Sequence, residues 1–220
     1  MLERPLTRRA WLGGAAVTAL GLAGVHVRGS GAATSVSCVL TPAQTEGPYY
    51  IPGEKLRRDI TEGRPGAPFL LRAFVLDAST CRPLRNAAVD IWHADASGVY
   101  SGFGSGASSR TFMRGIQRTN VRGLAFFRTV YPGWYQGRTV HIHVKVHLGG
   151  SVVHTGQLYF PDSLTDSVYR KAPYNTRPNR DVRNATDAIY RNGGSKSLVH
   201  VKKNSAGVYV GTIFMGVRRS

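Results

Sequence analysis

The sequence is short of cysteine, of long apolar segments and of acidic residues, and each shortage argues against a class of protein. Its two cysteines, Cys38 and Cys81, have neither CxxC nor CxxH spacing, which argues against a metal site built from thiolates. The apolar run at residues 11–25 falls short of the roughly 20 residues that a membrane-spanning helix needs. We therefore predict no stable membrane span in the mature chain.

Acidic residues are scarce, since 12 Asp and Glu face 29 Lys and Arg, and the formal net charge is +17 at pH 7. Such an excess can indicate nucleic-acid binding. The basic residues, however, are scattered singly and in pairs such as Arg57–Arg58, and no helix or aromatic–basic repeat organises them. The pattern predicts solubility and attraction for anionic surfaces or substrates, without specific recognition of nucleic acid.

The first 33 residues have the pattern of an export signal. Arg8 and Arg9 form a twin-arginine pair, and the Gly- and Ala-rich apolar run at residues 11–25 follows directly. We therefore expect residues 1–33 to be a cleaved twin-arginine signal and the mature protein to be secreted or otherwise outside the cytoplasm. An uncleaved anchor or a disordered tail is the alternative. In an exported chain, the even cysteine count favours a disulfide that joins Cys38 to Cys81.

Residues 34–220 have the pattern of one all-β domain, because short alternating segments are separated by turn residues and almost no helical periodicity is present. This pattern predicts a β-sandwich of about eight strands with long irregular loops. The predicted strands are residues 69–76, 87–94, 111–117, 124–130, 138–148, 152–160, 197–203 and 208–217.

Three segments are predicted to be irregular. Residues 41–53, with three prolines and two glycines, should lie extended across the core. The Gly- and Ser-rich residues 101–109 should form a mobile loop. Residues 161–194 form a long excursion, in which we expect a helical turn near residues 163–170 with Asp162 as its cap.

One predicted strand carries a histidine pair. From Arg138 to Leu148 apolar and polar residues alternate, as in a half-buried strand, so His141 and His143 point to the same face with Cβ atoms roughly 7 Å apart. Two imidazoles at this spacing can bind one metal ion. A hydrated strand face in a basic protein has the same pattern, so the pair alone does not decide between the two readings.

Three further motifs occur in the same chain: IWHADASGVY at residues 91–100, PGWYQGRTVHIH at residues 132–143 and QLYF at residues 157–160. Together they resemble the intradiol ring-cleavage dioxygenases, in particular the small exported bacterial members related to protocatechuate and catechol dioxygenases. The resemblance begins at the QTEGPYY segment, residues 44–50, and extends to the last strand.

The resemblance implies that iron(III) is held by Tyr100, Tyr135, His141 and His143. Phenolates are hard, anionic oxygen donors that suit ferric iron, and neutral imidazoles complete the set. Because the ordinary pKa of tyrosine is about 10, the metal ion has to displace both phenolic protons. In isolation, each tyrosine would be read only as a turn residue.

The resemblance also implies the substrates and three residue roles. A catechol-type diol and dioxygen would react to give a muconic-type diacid. Tyr135 would take up a substrate proton, Arg138 would stabilise charge on the substrate ring, and Gln157 would orient the substrate or an oxygen intermediate. A surface arginine and an amide on a polar strand face are the alternatives for the last two residues.

Two other functions are compatible with parts of the pattern. One is a non-catalytic transthyretin-like or carbohydrate-binding β-sandwich, which would be expected to lack one or more of the four ligand residues. The other is a copper or zinc site of the cupin type, although no Hx(3–4)E companion follows His143. The long helical dimerisation region of catechol dioxygenases is not recognisable, so the sequence leaves the oligomeric state and the identity of the catechol open.

Overall fold

The computed structural model describes residues 40–104 and 106–219, and this part of the chain forms two four-stranded sheets packed as a β-sandwich. The strands are β1 (Pro68–Asp77), β2 (Ala88–Trp92), β3 (Arg114–Arg118), β4 (Leu124–Val130), β5 (His141–Leu148), β6 (Ser151–Tyr159), β7 (His200–Lys203) and β8 (Tyr209–Val217). The first sheet has the order β4-β1-β8-β7 and the second has the order β3-β2-β5-β6. The predicted all-β sandwich of about eight strands is confirmed.

The core lies between the two sheets, because each strand turns one parity of its apolar residues inward. On β1, Phe69, Leu71 and Ala73 are fully buried, and on β5 the inward residues include Ile142 and Val144. Burying one such Leu, Ile or Phe side chain contributes about 1.5–3 kcal/mol to stability. The alternation that predicted the strands therefore also supplies their packing energy.

Strand β5 occupies the centre of the second sheet, where it pairs antiparallel with β2 and β6. His143 lies opposite Trp92 on one side and opposite Gln157 on the other, and His141 lies opposite Tyr159. These residues have the parity opposite to that of the core residues. They therefore share the outer face of the second sheet.

Residues 40–56, which we call the N-terminal strap, cover this outer face. The strap contacts the four strands in turn, through a hydrogen bond from Gln44 to β6, an ion pair from Glu46 to β5, the Tyr50 ring on Trp92 of β2, and a bridge from Leu56 to β3. It was predicted to lie extended across the core, but it crosses the outside of the sheet.

Because the strap covers it, the face that carries the histidine pair is not the wet face of a half-buried strand. His141 and His143 are only 3% and 1% exposed. The prediction of a half-buried strand is therefore wrong at the start of β5, where both faces are buried.

The excursion after β6 begins with α1 (Asp162–Tyr169) and includes α2 (Ala188–Arg191). Three short 3-10 turns lie at Tyr174–Thr176, Asn184–Thr186 and Gly194–Ser197. The predicted helical turn is present, but the predicted cap is wrong. Pro161 stands at the N-cap, and the Asp162 carboxylate instead accepts a hydrogen bond from Arg180 at 2.5 Å.

The described part of the loop at residues 101–109, which was expected to be mobile, is anchored at its start. Ser101 is fully buried, and its carbonyl oxygen accepts a hydrogen bond from Arg114 at 2.7 Å. The amide of Gly102 donates to the carbonyl oxygen of Ala107 at 2.7 Å. The loop therefore folds back onto the second sheet.

Some of the predictions concern residues that the structure does not describe. The expected export signal at residues 1–33 and one end of the expected disulfide, Cys38, lie outside the described residues. Both stay predictions. In the part of the chain that is described, no helix is long and apolar enough to span a membrane.

Candidate metal centre

The fold brings the four predicted metal ligands together at one end of the second sheet. The Nε2 atoms of His141 and His143 lie 3.0 Å apart, and the Tyr135 hydroxyl lies 3.2 Å from Nε2 of His141. The ring of Tyr100 is centred 5.5 Å from that of Tyr135 and 6.1 Å from that of His143. Two phenols and two imidazoles thus share one site.

Asp95 fixes the turn that delivers Tyr100. Its carboxylate accepts hydrogen bonds from the amides of Ser97 and Val99, at 2.9 and 3.1 Å. Its carbonyl oxygen accepts from the amide of Gly133 at 3.0 Å, which joins this turn to the loop that carries Tyr135. A Cβ at position 133 would lie 2.3 Å from that oxygen, so only glycine permits the contact.

The two histidines are fixed differently. Nδ1 of His141 lies 2.7 Å from the carbonyl oxygen of Thr139, and since a carbonyl can only accept, Nδ1 carries the proton. The lone pair of His141 is therefore on Nε2, which points towards His143. Nδ1 of His143 is buried and has no hydrogen-bond partner.

Unless a cation is bound, the site favours the neutral forms of its two histidines and two tyrosines. Burial, helped by the charge of Arg138, lowers the pKa of His141 to about 3, and burial together with His141 holds the pKa of His143 well below its ordinary value. Burial raises the pKa of Tyr100 well above 10 and also raises that of Tyr135, although Arg138 opposes the second shift. Ionising both phenols in this site requires a bound positive charge.

These donors fit a single metal ion. Two ligands about 2.1 Å from one ion at a right angle lie about 3 Å apart, which is the separation of the two Nε2 atoms here. The hydroxyl of Tyr100 is buried without a hydrogen-bond partner, which is costly unless a ligand satisfies it. Two phenolic oxygens and two imidazole nitrogens form a donor set suited to ferric iron.

The tyrosines are essential to this assignment. Among the described residues, no group of three or more His, Cys, Asp or Glu side chains could hold a metal ion. A cupin-type site needs a third histidine and a carboxylate, so nothing in the described part of the chain favours that alternative.

Arg138 and Gln157 lie next to each other beside the metal ligands. A guanidinium nitrogen of Arg138 donates to Oε1 of Gln157 at 2.6 Å, and the hydroxyl of Tyr159 donates to the same oxygen at 3.0 Å. The Gln157 amide donates to the carbonyl oxygen of Thr45 in the N-terminal strap, also at 3.0 Å. The side chain of Gln157 is thereby held at both ends.

Sequence reasoning missed Asp187, whose carboxylate accepts from Nε of Arg138 at 2.8 Å and from the amide of Thr139 at 2.9 Å. Burial alone would lower the pKa of Arg138, but the hydrogen bond to Asp187 and the electrostatic attraction of Asp187, Tyr135 and Tyr159 together outweigh burial and raise it. The only local signal was an aspartate before a short helical turn. That signal predicts a cap and does not indicate the link to Arg138.

Aromatic rings enclose the centre. Tyr49 of the strap stacks on Tyr100 with ring centres 4.3 Å apart, and Trp92 stacks on His143 at 4.9 Å with the ring planes only 3° apart. Tyr50 of the strap also packs against Trp92. The rings restrict access of water to the ligands, which strengthens electrostatic interactions inside the site.

The chain resembles known dioxygenases in sequence. A family model described as dioxygenase matches residues 45–172. Catechol 1,2-dioxygenase 1 of Acinetobacter lwoffii is 33% identical over 101 residues, which cover 43% of this chain and 32% of that protein. The matched region thus spans about a third of the length of this curated relative.

Solved structures show the same fold. The intradiol ring-cleavage dioxygenase of Tetranychus urticae superposes with a TM-score of 0.78 at 34% identity, over 82% of this chain and 95% of that one. The dioxygenase domain of a dioxygenase–carbohydrate-binding fusion protein from Streptomyces sp. SirexAA-E superposes with a TM-score of 0.64 at 33% identity, over 82% of this chain and 99% of that domain.

Proposed function

Because the chain belongs to the intradiol ring-cleavage dioxygenase family, we propose that it is an iron(III) enzyme that cleaves catechol-type diols between the two hydroxyl-bearing carbons. The observation that carries the proposal is the pair of neutral imidazole nitrogens 3.0 Å apart, with two phenols in the same buried site. When bound, iron(III) would activate the catecholate ring towards dioxygen, so that both oxygen atoms enter a muconic-type diacid.

Tyr135 is the better placed of the two tyrosines to exchange a proton with the substrate. Tyr100 is only 4% exposed and lies under the Tyr49 ring, whereas Tyr135 is only half-buried. A phenolate oxygen at position 135 can accept the proton of a catechol hydroxyl as the diol binds. Tyr100 would remain a fixed ligand.

Arg138 supplies positive charge where the substrate becomes negative. Its ion pair with Asp187 keeps the guanidinium protonated and fixes its direction. A preorganised cation in a site with little water stabilises developing negative charge strongly. Gln157, which is held by Arg138 and by the strap, presents an amide of fixed orientation to the same region.

A non-catalytic β-sandwich module is not favoured. That reading would be expected to leave one or more of the four ligand positions with another residue type. All four side chains are present and lie together, and the similar proteins are dioxygenases.

Iron loading tests the proposal directly. Iron(III)-loaded protein should be red-brown, because tyrosinate transfers charge to ferric iron in visible light. It should consume oxygen with at least one of catechol, protocatechuate and hydroxyquinol, and the product should be the ring-opened diacid. Tyr135→Phe should lose turnover and shift the visible band. A colourless protein that stays inactive after iron loading would contradict the proposal.

We also propose export through the twin-arginine route. Support comes from Arg8 and Arg9 ahead of the short apolar run at residues 11–25. Cell fractionation of the full chain should find it outside the cytoplasm, and replacing both arginines by lysine should retain it inside. Equal distribution of the two proteins would contradict this route.

A further inference from the structure

The two histidines of the centre differ in how their outer nitrogens are held. Nδ1 of His141 donates to the carbonyl oxygen of Thr139, whereas Nδ1 of His143 has no partner although the residue is only 1% exposed. A metal-binding imidazole almost always donates its second N–H to a carboxylate, a carbonyl oxygen or water. If His143 binds iron, the fold is expected to supply such an acceptor.

A buried acceptor lies on the neighbouring strand. Asp90 of β2 is 1% exposed, and no donor reaches its carboxylate oxygens at full hydrogen-bonding geometry, although the Tyr50 hydroxyl of the strap approaches the carboxylate and lowers its pKa. Because a carboxylate has about four acceptor positions, it can take further donors. In the register of β2 and β5, Trp92 is opposite His143 and Asp90 is opposite Lys145. Asp90 is therefore a diagonal neighbour of His143 on the same face, at the roughly 7–8 Å that such pairs show, which two side chains and one water can span.

Trp92 adds a second donor in the same layer. Its Nε1 is buried without a partner, and its ring lies flat on the ring of His143. Two unpaired ring nitrogens and one buried carboxylate thus occur on adjacent positions of two paired strands. Leaving a buried donor unpaired costs roughly 1–3 kcal/mol, and one buried water with three polar partners can join both nitrogens to the carboxylate.

We propose that Asp90 is a positioning residue for the metal centre: one buried water accepts hydrogen bonds from Nδ1 of His143 and Nε1 of Trp92, and it donates a hydrogen bond to the Asp90 carboxylate. This inference rests on the proposed iron-binding function. A carboxylate behind the imidazole fixes the ring and makes Nε2 a stronger donor, which favours the ferric state.

The N-terminal strap closes this cluster from solvent. Tyr50 packs on Trp92 with ring centres 4.8 Å apart, and the ammonium group of Lys145 lies 3.8 Å from the centre of the Tyr50 ring. Burial raises the pKa of Asp90 to about 7, although the Tyr50 hydroxyl and the cations of Arg114 and Lys145 oppose the shift. The carboxylate therefore gains stability from any donor that reaches it.

The test compares Asp90→Asn with the unchanged protein after iron(III) loading. Asparagine keeps the shape but loses the charge, so we expect iron to be lost to a chelator about 10-fold faster. The tyrosinate-to-iron band should move to longer wavelength, because weaker donation from His143 makes the iron a stronger electron acceptor. Asp90→Glu should restore part of both properties. An unchanged band and release rate in Asp90→Asn would overturn the inference.

Measurements of folding stability distinguish a positioning role of Asp90 from a purely structural role. Because Asp90 forms no direct ion pair among the described residues, removing its buried charge should leave the iron-free Asp90→Asn protein at least as stable as the unchanged protein at pH 7. A loss of stability that fully accounts for faster iron release would overturn the proposal. If the variant fails to fold, Trp92→Phe keeps the ring stack but removes the Nε1 donor, and a smaller shift in the same direction is expected. No shift in that variant would overturn it.

His154 provides the matched control. It lies on β6 of the same sheet, is 6% exposed and has an unpartnered ring nitrogen, but it is not among the centre's residues. His154→Gln should change neither the band nor the release rate, and an effect equal to that of Asp90→Asn would overturn the proposal. Failure of the unchanged protein to bind iron(III) would overturn the proposed function itself, whereas a coloured protein that is insensitive to Asp90→Asn overturns only the role of Asp90.

Discussion

Asp187 holds several parts of the candidate site in place through four hydrogen bonds to its carboxylate. One carboxylate oxygen accepts from Arg138 and from the amide of Thr139, and the other accepts from the amides of Ile189 and Tyr190 at 2.9 and 2.8 Å. The residue is 2% exposed. It therefore orients the Arg138 guanidinium, supports the backbone that holds His141 and caps α2 at the same time.

Replacing this aspartate should harm stability and turnover together. In Asp187→Ala the guanidinium of Arg138 is left half-buried without its anion, and loss of one partner of such a pair costs about 3 kcal/mol or more. We expect that loss in denaturant unfolding and a 10- to 100-fold lower kcat in iron-loaded protein. Asp181→Ala is the control, since exposed Asp181 accepts, among the described residues, one hydrogen bond, from the amide of Gly137. Equal effects of the two substitutions would contradict the assigned role.

At the residue scale, the sequence indicated the candidate metal ligands more readily than it indicated hydrogen-bond partners. The tyrosines and histidines stand in short motifs, so their spacing brought them to notice. Asp187 lies 49 positions from Arg138, and no local pattern joins the two. Asp162 and Asp187 both stand at the start of a helical turn, yet only Asp187 caps one, because Arg180 binds the carboxylate of Asp162.

At the scale of elements, strands were predictable and the N-terminal strap was not. Alternation locates each strand, and β4 was predicted with the observed bounds, Leu124–Val130. The strap has no periodicity, because it contacts each strand of the second sheet through a different residue, by backbone at two strands and by side chain at the other two. Its proline and glycine content predicted an irregular path, but nothing in the sequence indicated which face of the sandwich it covers.

Two glycines of the strap allow the effect of backbone strain to be distinguished from the effect of contact with the metal centre. Gly47 and Gly53 both have positive φ, +69° and +78°. An added Cβ at Gly47 would lie 3.1 Å from Cε1 of His143, whereas at Gly53 it would meet nothing within 4 Å. Each alanine should cost about 1–2 kcal/mol of stability, because L-residues are strained in this backbone region.

Only Gly47→Ala should also disturb the metal centre, since the new methyl group crowds a ligand ring. We expect faster loss of iron to a chelator and a shifted visible band in Gly47→Ala, while Gly53→Ala behaves as the unchanged protein in both measurements. Similar iron release from the two variants would show that the strap does not constrain His143.

At the scale of the described molecule, the candidate metal centre lies outside the hydrophobic core. The sandwich core is sealed between the sheets, and the site occupies the outer face of the second sheet beneath the strap. To enclose that site, the fold buries ionisable side chains on the outer face as well as in the core. Acid sensitivity is the expected consequence.

Two buried histidines and one buried aspartate should change the folding stability in opposite directions as pH falls. Burial lowers the pKa of His93 and of His154 to about 4, so the unfolded chain, with a histidine pKa near 6.5, binds more protons as pH falls. Their contribution to stability is complete above pH 6.5 and is lost as pH falls towards 4. Burial raises the pKa of Asp90 to about 7, so there the folded state binds the extra proton and gains stability as pH falls.

Unfolding of iron-free protein in denaturant at pH 7 and at pH 5 tests both directions at once. His154→Leu removes a group that destabilises the fold in acid, so its loss of unfolding free energy over this range should be about 2 kcal/mol smaller than that of the unchanged protein. Asp90→Asn removes a group that gains stability in acid, so its loss should be about 2 kcal/mol larger. Because the two variants are expected to diverge, a general effect of the strongly basic charge cannot produce the result, and parallel pH profiles for all three proteins would contradict it.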